Sequence, residues 1–410
     1  MNRKLALVFV LLTVAIDSIG IGIIIPVMPD LIREVSSADL ADAALWGGAL
    51  AATFSLMQFI CSPSVGSLSD RYGRRPVLLI SLFFMTLDYI LLGIAHVMWL
   101  LFLGRVVGGI TASTPATVTA FISDISKPEE KAQNFGLIGA AFGIGFVLGP
   151  LFGAFFAEFG TRAPFYAAAA FAGCNLILGW FVLPETVTDA IRRPFRWKRA
   201  NPVGSIYHLA KLPGLRIFMV VMLIFQVAFT VYPAIWSFYT IERFGWDPAM
   251  IGLSLAAYGV MIAIVQGWFI RIILKYLSER QTLLFGMFFE LIGLAGYGFA
   301  TETWMAFVLI PISSIGSVAT PALQGMMSRA ALDNQQGELH GVNASLTSLA
   351  FFLSPLVMTG IFYVFVSPDF FIYLPGAPFL LAALMIVACM ILIRSFTHET
   401  DPRAIPSSRS

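Results

Sequence analysis

Apolar runs of about twenty residues, separated by short polar breaks, recur from one end of this 410-residue chain to the other. Each is long enough to cross a hydrocarbon layer of about 30 Å as a helix rising 1.5 Å per residue. The pattern predicts twelve spans, near 5–28, 44–65, 77–95, 98–122, 134–156, 164–183, 214–240, 249–270, 282–300, 304–326, 339–366 and 376–396. The ten-residue alternation of a membrane barrel is absent. The expected fold class is therefore an all-α membrane protein with twelve transmembrane helices.

One polar connection, 184–213, is much longer than the others and divides six spans from six. The expected organisation is a six-helix half (1–183), a linker (184–213), a second half (214–396) and a disordered polar tail (397–410). The halves resemble each other at a nearly constant offset. Thr114-Pro115-Ala116 matches Thr320-Pro321-Ala322, Gly149-Pro150-Leu151 matches Ser354-Pro355-Leu356, and Pro26 matches Pro233. The basic loop 66–76 also falls opposite the basic loop 271–280. Four matches in order point to duplication of a six-helix unit. Two pseudo-symmetric halves around one axis is the plan of a secondary transporter with its site between them.

Composition agrees: 58% of residues are hydrophobic and 12% charged, about half the charged share of a soluble domain. Loops and tails on the face holding both termini carry 20 Lys and Arg, and the opposite loops carry three, Arg33, Arg162 and Arg243. That asymmetry predicts cytoplasmic termini. The basic residues are spread through short loops, which argues against nucleic-acid binding, and the first span has no cleavage site of a removable signal. Cys61, Cys174 and Cys389 lie in separate apolar segments and read as packed thiols rather than a metal site.

Residues 66–76 read GSLSDRYGRRP. Gly66 and Gly73 permit a tight turn, and Asp70 with Arg71, Arg74 and Arg75 can form a charge network. This loop resembles the one between helices two and three of the major facilitator superfamily. GRVVGGITASTPA (104–116) is similar to that family's helix-four motif, and GIGFVLGPLFG (143–153) to the helix-five motif of its proton-coupled exporters. Within the superfamily the chain resembles the tetracycline/proton antiporters, through AIDSIGIGIIIPVMPDLIRE (15–34), SLMQ (55–58), LDYILL (87–92) and PALQGMMS…QQGELHG (321–341). The resemblance implies alternating access, with the loop as a cytoplasmic latch: Asp70 facing the chain near Gly337–His340, and Arg74 paired with Asp124. The second-half loop RIILKYLSER lacks the glycines and the leading acid, so the latch is expected in the first half only.

Four ionisable residues fall near mid-membrane: Asp17, Asp88, Arg105 and Glu290. By helical rise they lie roughly 14 to 20 Å from the cytoplasmic end. Such residues are costly and are functional candidates by default. A carboxylate that alternates between a dry site and a nearby cation can load and release protons. A fixed pair of Asp17 with Arg105, joining helices one and four, is the structural alternative. The resemblance implies proton coupling through Asp17, Asp88 and Glu290. It also exposes two departures. The family's helix-nine acid is usually aspartate, and its best-known members carry a helix-eight histidine where this chain has Ile262. All four histidines here lie outside the membrane core.

In span five, Gly145, Gly149 and Gly153 recur every four residues beside Pro150, a spacing that lets two helices pack backbone to backbone. The resemblance adds a seal against proton leak. In span seven, Phe225, Phe229, Tyr232, Trp236 and Tyr239 share one helical face. They line either a drug cavity or the bundle's own core. Gln58, Gln226, Gln266 and Gln324 are intramembrane amides that each need a partner; Gln58 and Gln324 join the stripe as candidate substrate contacts.

The expected function is a proton-coupled antiporter of a bacterial inner membrane, acting as a monomer and exporting a drug-like compound. Tetracycline leads, travelling as a divalent-metal chelate, with no resident cofactor or protein metal cluster. Another drug, a lipid or a metabolite is the alternative substrate. A non-transporting sensor or a membrane enzyme is the rival class, and the latter lacks an intramembrane histidine or Ser/His pair.

Overall fold

The computed structural model describes residues 3–112, 114–127, 130–187, 215–330 and 336–399. The first half holds α1 (Arg3–Ile24), α2 (Met28–Ser36), α3 (Leu40–Tyr72), α4 (Arg74–Ile94), α5 (Met98–Thr111), α6 (Thr114–Ile125), α7 (Lys131–Ala157) and α8 (Ala163–Val182). The second holds α9 (Leu215–Phe229), α10 (Val231–Phe244), α11 (Pro248–Ile264), α12 (Ile270–Tyr276), α13 (Glu279–Phe299), α14 (Thr303–Gly316), α15 (Ala319–Ala330), α16 (Gln336–Val366) and α17 (Ala377–Glu399). A π-helical stretch, Val265–Phe269, joins α11 to α12. Among the described residues, eleven helical stretches are long and apolar enough to cross a membrane, and Met98–Thr111 is a shorter apolar helix. Most of the linker (188–214) and of the tail (400–410) lies outside the described residues.

Expected span four is thus not one helix but α5 and α6. The break has a cause in sequence: Pro115 has no N–H to continue the ladder, and the Gln58 amide donates to the Ala112 carbonyl at 2.8 Å. Span seven divides likewise at Thr230, whose hydroxyl donates to the Gln226 carbonyl at 2.6 Å, just before Pro233. Span ten divides after Gly316. Ala112 and Ser317, the residues that end α5 and α14, lie 205 apart, so the duplication is visible in the breaks as well as in the motifs.

The glycine ladder of span five sets the closest packing in the first half. A methyl group at Gly149 would fall 2.7 Å from the Gly22 Cα of α1, and one at Gly153 would fall 2.5 Å from the Ile23 carbonyl oxygen. The opposite edge of α7 meets the second half: Gly252 of α11 packs on Pro150 and Ala154, and Gly259 on Val147. Around the same level Gly47 of α3 packs on Phe238, Gly48 on Pro355 and Thr359 of α16, and the Ser237 hydroxyl donates to the Ile25 carbonyl at 2.8 Å. All these contacts lie away from the end that carries Arg3 and Glu399. Toward that end Gly66 (α3), Gly139 and Gly143 (α7), Gly267 and Gly341 (α16) meet nothing within 4 Å. The two halves touch at the far end and part toward the termini, leaving an open space between α3, α7, α11 and α16. Large apolar side chains such as Phe181, Tyr276 and Trp304 are exposed on the outer surface, as a hydrocarbon surround requires.

Candidate functional site

Three of the four intramembrane charges gather in the first half. Asp88 on α4 is buried, and its Oδ2 accepts a 2.7 Å bond from Arg105 Nη2 on α5. The carboxylate fits because α5 offers Gly104 and Gly108 to it: a methyl at either would fall 2.8 or 2.6 Å from an Asp88 oxygen. Arg105 also lies over the Phe54 ring at 5.3 Å. Asp17 on α1 is half-buried, and the Tyr89 hydroxyl, seated on Gly20, lies in the combined field of Asp17, Asp88 and Arg105. Among the described residues Arg105 forms its salt bridge with Asp88, where the structural alternative offered a fixed pair with Asp17. Depth was equal for both acids, but α5 stands beside α4.

Glu290 is separate. It lies on α13 within the second half, with no exposed surface, and its carboxylate rests on Gly316 of α14. Tyr232 and Tyr258 share its electrostatic surroundings, and Tyr297 stands two turns further along α13. Neither Glu290 oxygen closes a full hydrogen bond among the described residues, and neither do the Tyr232 and Tyr258 hydroxyls. The membrane acids thus form two sites rather than one.

The aromatic stripe points into the second half. Phe225 and Phe229 stack at 6.2 Å, the Trp236 and Tyr297 centroids lie 5.1 Å apart, and Tyr239 packs on Phe379 at 4.9 Å. Phe225, Tyr232, Trp236 and Tyr239 are all buried there, so in this conformation the stripe is core. Trp236 donates to Ser254 at 2.9 Å and Tyr239 to the Tyr297 carbonyl at 2.6 Å. Among the amides, Gln226 donates to Thr347 at 3.1 Å, Gln58 serves the helix break, and Gln266 and Gln324 are exposed.

At the termini end, Arg74 pairs with Asp124 at 3.2 Å and with Asp70 at 2.5 Å. Arg71 and Arg75 lie over Tyr72 and Trp180, and Arg75 donates to the Trp180 carbonyl at 2.7 Å. Gly73 has φ of 112°, a backbone that favours glycine, and it admits the Glu185 carboxylate. Glu185 then accepts from the Arg74 and Arg75 amides at the start of α4, where a helix favours an anion. The expected facing residues of Asp70, around Gly337–His340, have side chains mostly outside the described set. In the second half Arg329 and Glu279 form a bidentate pair. These residues stand 205 positions after Asp124 and Arg74, so the same pair recurs with its polarity reversed.

The family pattern described as the Major Facilitator Superfamily matches residues 10–238 and again 217–409. The chain belongs to this superfamily. It is 40% identical over 362 residues to the class C tetracycline resistance protein of Escherichia coli, covering 88% of this chain and 91% of that one. It is 33% identical over 406 residues to the class B protein of the same organism, covering 98% and 97%. A crystal structure of the human organic anion transporter MFSD10 superposes with a TM-score of 0.71 at 22% identity, over 96% of this chain and all of that one, which shows the shared fold.

Within the superfamily plan, sequence reading missed three groups. Glu185 hid in what read as a linker, although an acid just after an apolar span is a visible helix-capping candidate. Tyr258 and Tyr297 were passed over, although tyrosines away from the membrane interface already call for a polar partner. Glu279 and Arg329 were legible only by looking for opposite charge, not the same residue, at the repeat offset.

Proposed function

We propose that this multi-pass membrane protein is a proton-coupled antiporter that exports tetracycline, as its divalent-metal chelate, from a bacterial cytoplasm by alternating access. The observation that carries the reading is the Asp17–Tyr89–Asp88–Arg105 cluster. It places two acids and one cation together in the helical half that bears the exporter motif. The charge asymmetry of the loops supports cytoplasmic termini. The open space then faces the cytoplasm, and the structure corresponds to a state ready to load cargo from inside. Arg105 is paired with Asp88, and protonating Asp88 would release Arg105 to act on Asp17 or on an anionic part of the cargo. The protein is expected to act as a monomer, because each half already supplies one charge site.

The test uses inside-out vesicles energised to acidify their interior. Adding tetracycline with magnesium is expected to release protons in the parent, read by a pH-sensitive dye, and to release none in Asp17→Asn. Failure of the parent in vesicles that hold a gradient would overturn the tetracycline assignment. Ile262, standing where the better-known relatives place histidine, favours a second reading in which the same cycle moves another amphipathic drug. A panel of such compounds in the same vesicles separates the two.

A further inference from the structure

Glu290 is the intramembrane charge set apart from the other three. It has no exposed surface, and four groups around it are buried with hydrogen-bonding capacity unspent among the described residues: both of its oxygens and the hydroxyls of Tyr232 and Tyr258. A cavity of about 20 Å³ lies beside the two tyrosines, lined by Tyr232, Trp236, Ser254, Tyr258 and Tyr297. That is room for one water molecule and for no part of a drug. Tyr258 is half-buried on α11, a helix that borders the open space, while its hydroxyl is buried and the residue lines this cavity. Tyr258 therefore joins this cavity to a helix that borders the open space, and its ring packs on Tyr232 at 5.7 Å between centroids.

We propose that Tyr258, with Tyr232 and one water in this cavity, is a proton relay, and that Glu290 exchanges protons through it without touching cargo. This deepens the antiport reading and rests on it for direction. The step conserves atoms and charge. The Glu290 carboxyl passes its proton to the Tyr258 oxygen as the Tyr258 hydroxyl proton passes to the water of this cavity. The phenol ends as it began, leaving a carboxylate and a hydronium ion. The reverse sequence reloads the acid. Tyr232 orients the carboxyl so that one oxygen faces the relay. The two sites then divide the labour: Asp17, Asp88 and Arg105 meet cargo, and Glu290 holds a proton behind a phenol gate.

The test has two arms on the full-length protein. In the first, infrared difference spectra follow hydrogen–deuterium exchange of the Glu290 carboxyl, its band assigned by its loss in Glu290→Gln. Tyr258→Phe is expected to slow that exchange at least tenfold while leaving the melting temperature near the parent's. In the second, binding of magnesium–tetracycline and proton release are measured side by side. Glu290→Gln and Tyr258→Phe are each expected to bind within twofold of the parent and to release protons at least tenfold more slowly. Unchanged exchange in Tyr258→Phe would overturn the relay, and a tenfold loss of binding in Glu290→Gln would overturn its isolation from cargo. A parent that moves no tetracycline fails the functional reading alone, since the infrared arm still decides the relay.

Discussion

Arg105 and Asp88 sit where neither is well solvated, and each is held by the other. Taking one partner away leaves a buried charge alone, a loss of about 3–5 kcal/mol, whereas removing both together costs far less. Arg105→Gln is expected to lower thermal stability strongly in detergent, and adding Asp88→Asn to restore most of it, measured as a double-mutant cycle. Both forms are expected to lose transport. Why the sequence showed so much here, and where it stopped, has a physical answer. Depth follows from residue count, so the mid-membrane level of all four charges could be read directly. Azimuth depends on which helices stand side by side, and twelve apolar segments of similar composition do not encode that. The pairing of Arg105 with Asp88, and the isolation of Glu290, therefore needed the fold.

At the scale of elements, small residues decide the contacts. Gly149 faces the Gly22 backbone, so Gly149→Val is expected to force α1 and α7 apart and to cost several kcal/mol, seen as lost membrane yield and a lower melting temperature. Its four-residue spacing was legible in sequence because backbone-to-backbone packing leaves a strict periodic trace. Gly73 poses a different demand. Its φ of 112° and the seated Glu185 carboxylate both resist a side chain, and Gly73→Ala is expected to cost about 1–2 kcal/mol, measured by denaturation in mixed micelles. Glu185→Gln is expected to lose about 1 kcal/mol of the same capping interaction. The aromatic stripe of α9 and α10 was equally plain as a period, but a period gives a face and not what that face meets. Here it meets Tyr297 and Phe379.

For the whole molecule, the two halves are closed at one end by close contacts. Gly48 packs on the Pro355 carbonyl, and a methyl there would come within 3.0 Å of it. Gly48→Leu is expected to wedge that end open and shift the population toward the opposite-facing state. The check is a cysteine at Ser237, now buried beside Ile25, on a background with Cys61, Cys174 and Cys389 replaced by alanine. Its labelling by a membrane-impermeant maleimide from the outside is expected to rise several-fold when Gly48→Leu is added.

The glycines that touch nothing complete the picture. Gly139 and Gly143 continue the Val147 edge of α7 toward the termini, and Gly267 follows α11 on the facing side. In this state their smoothness serves no contact. Viewed as a hinge, α7 and α11 bear on each other at Val147 and Gly259, with a used track on one side and a spare track on the other. When the molecule rocks over, the spare track becomes the bearing surface. A leucine at Gly143 is then a stone on rails that are empty today: harmless to the protein at rest, and an obstruction once per cycle.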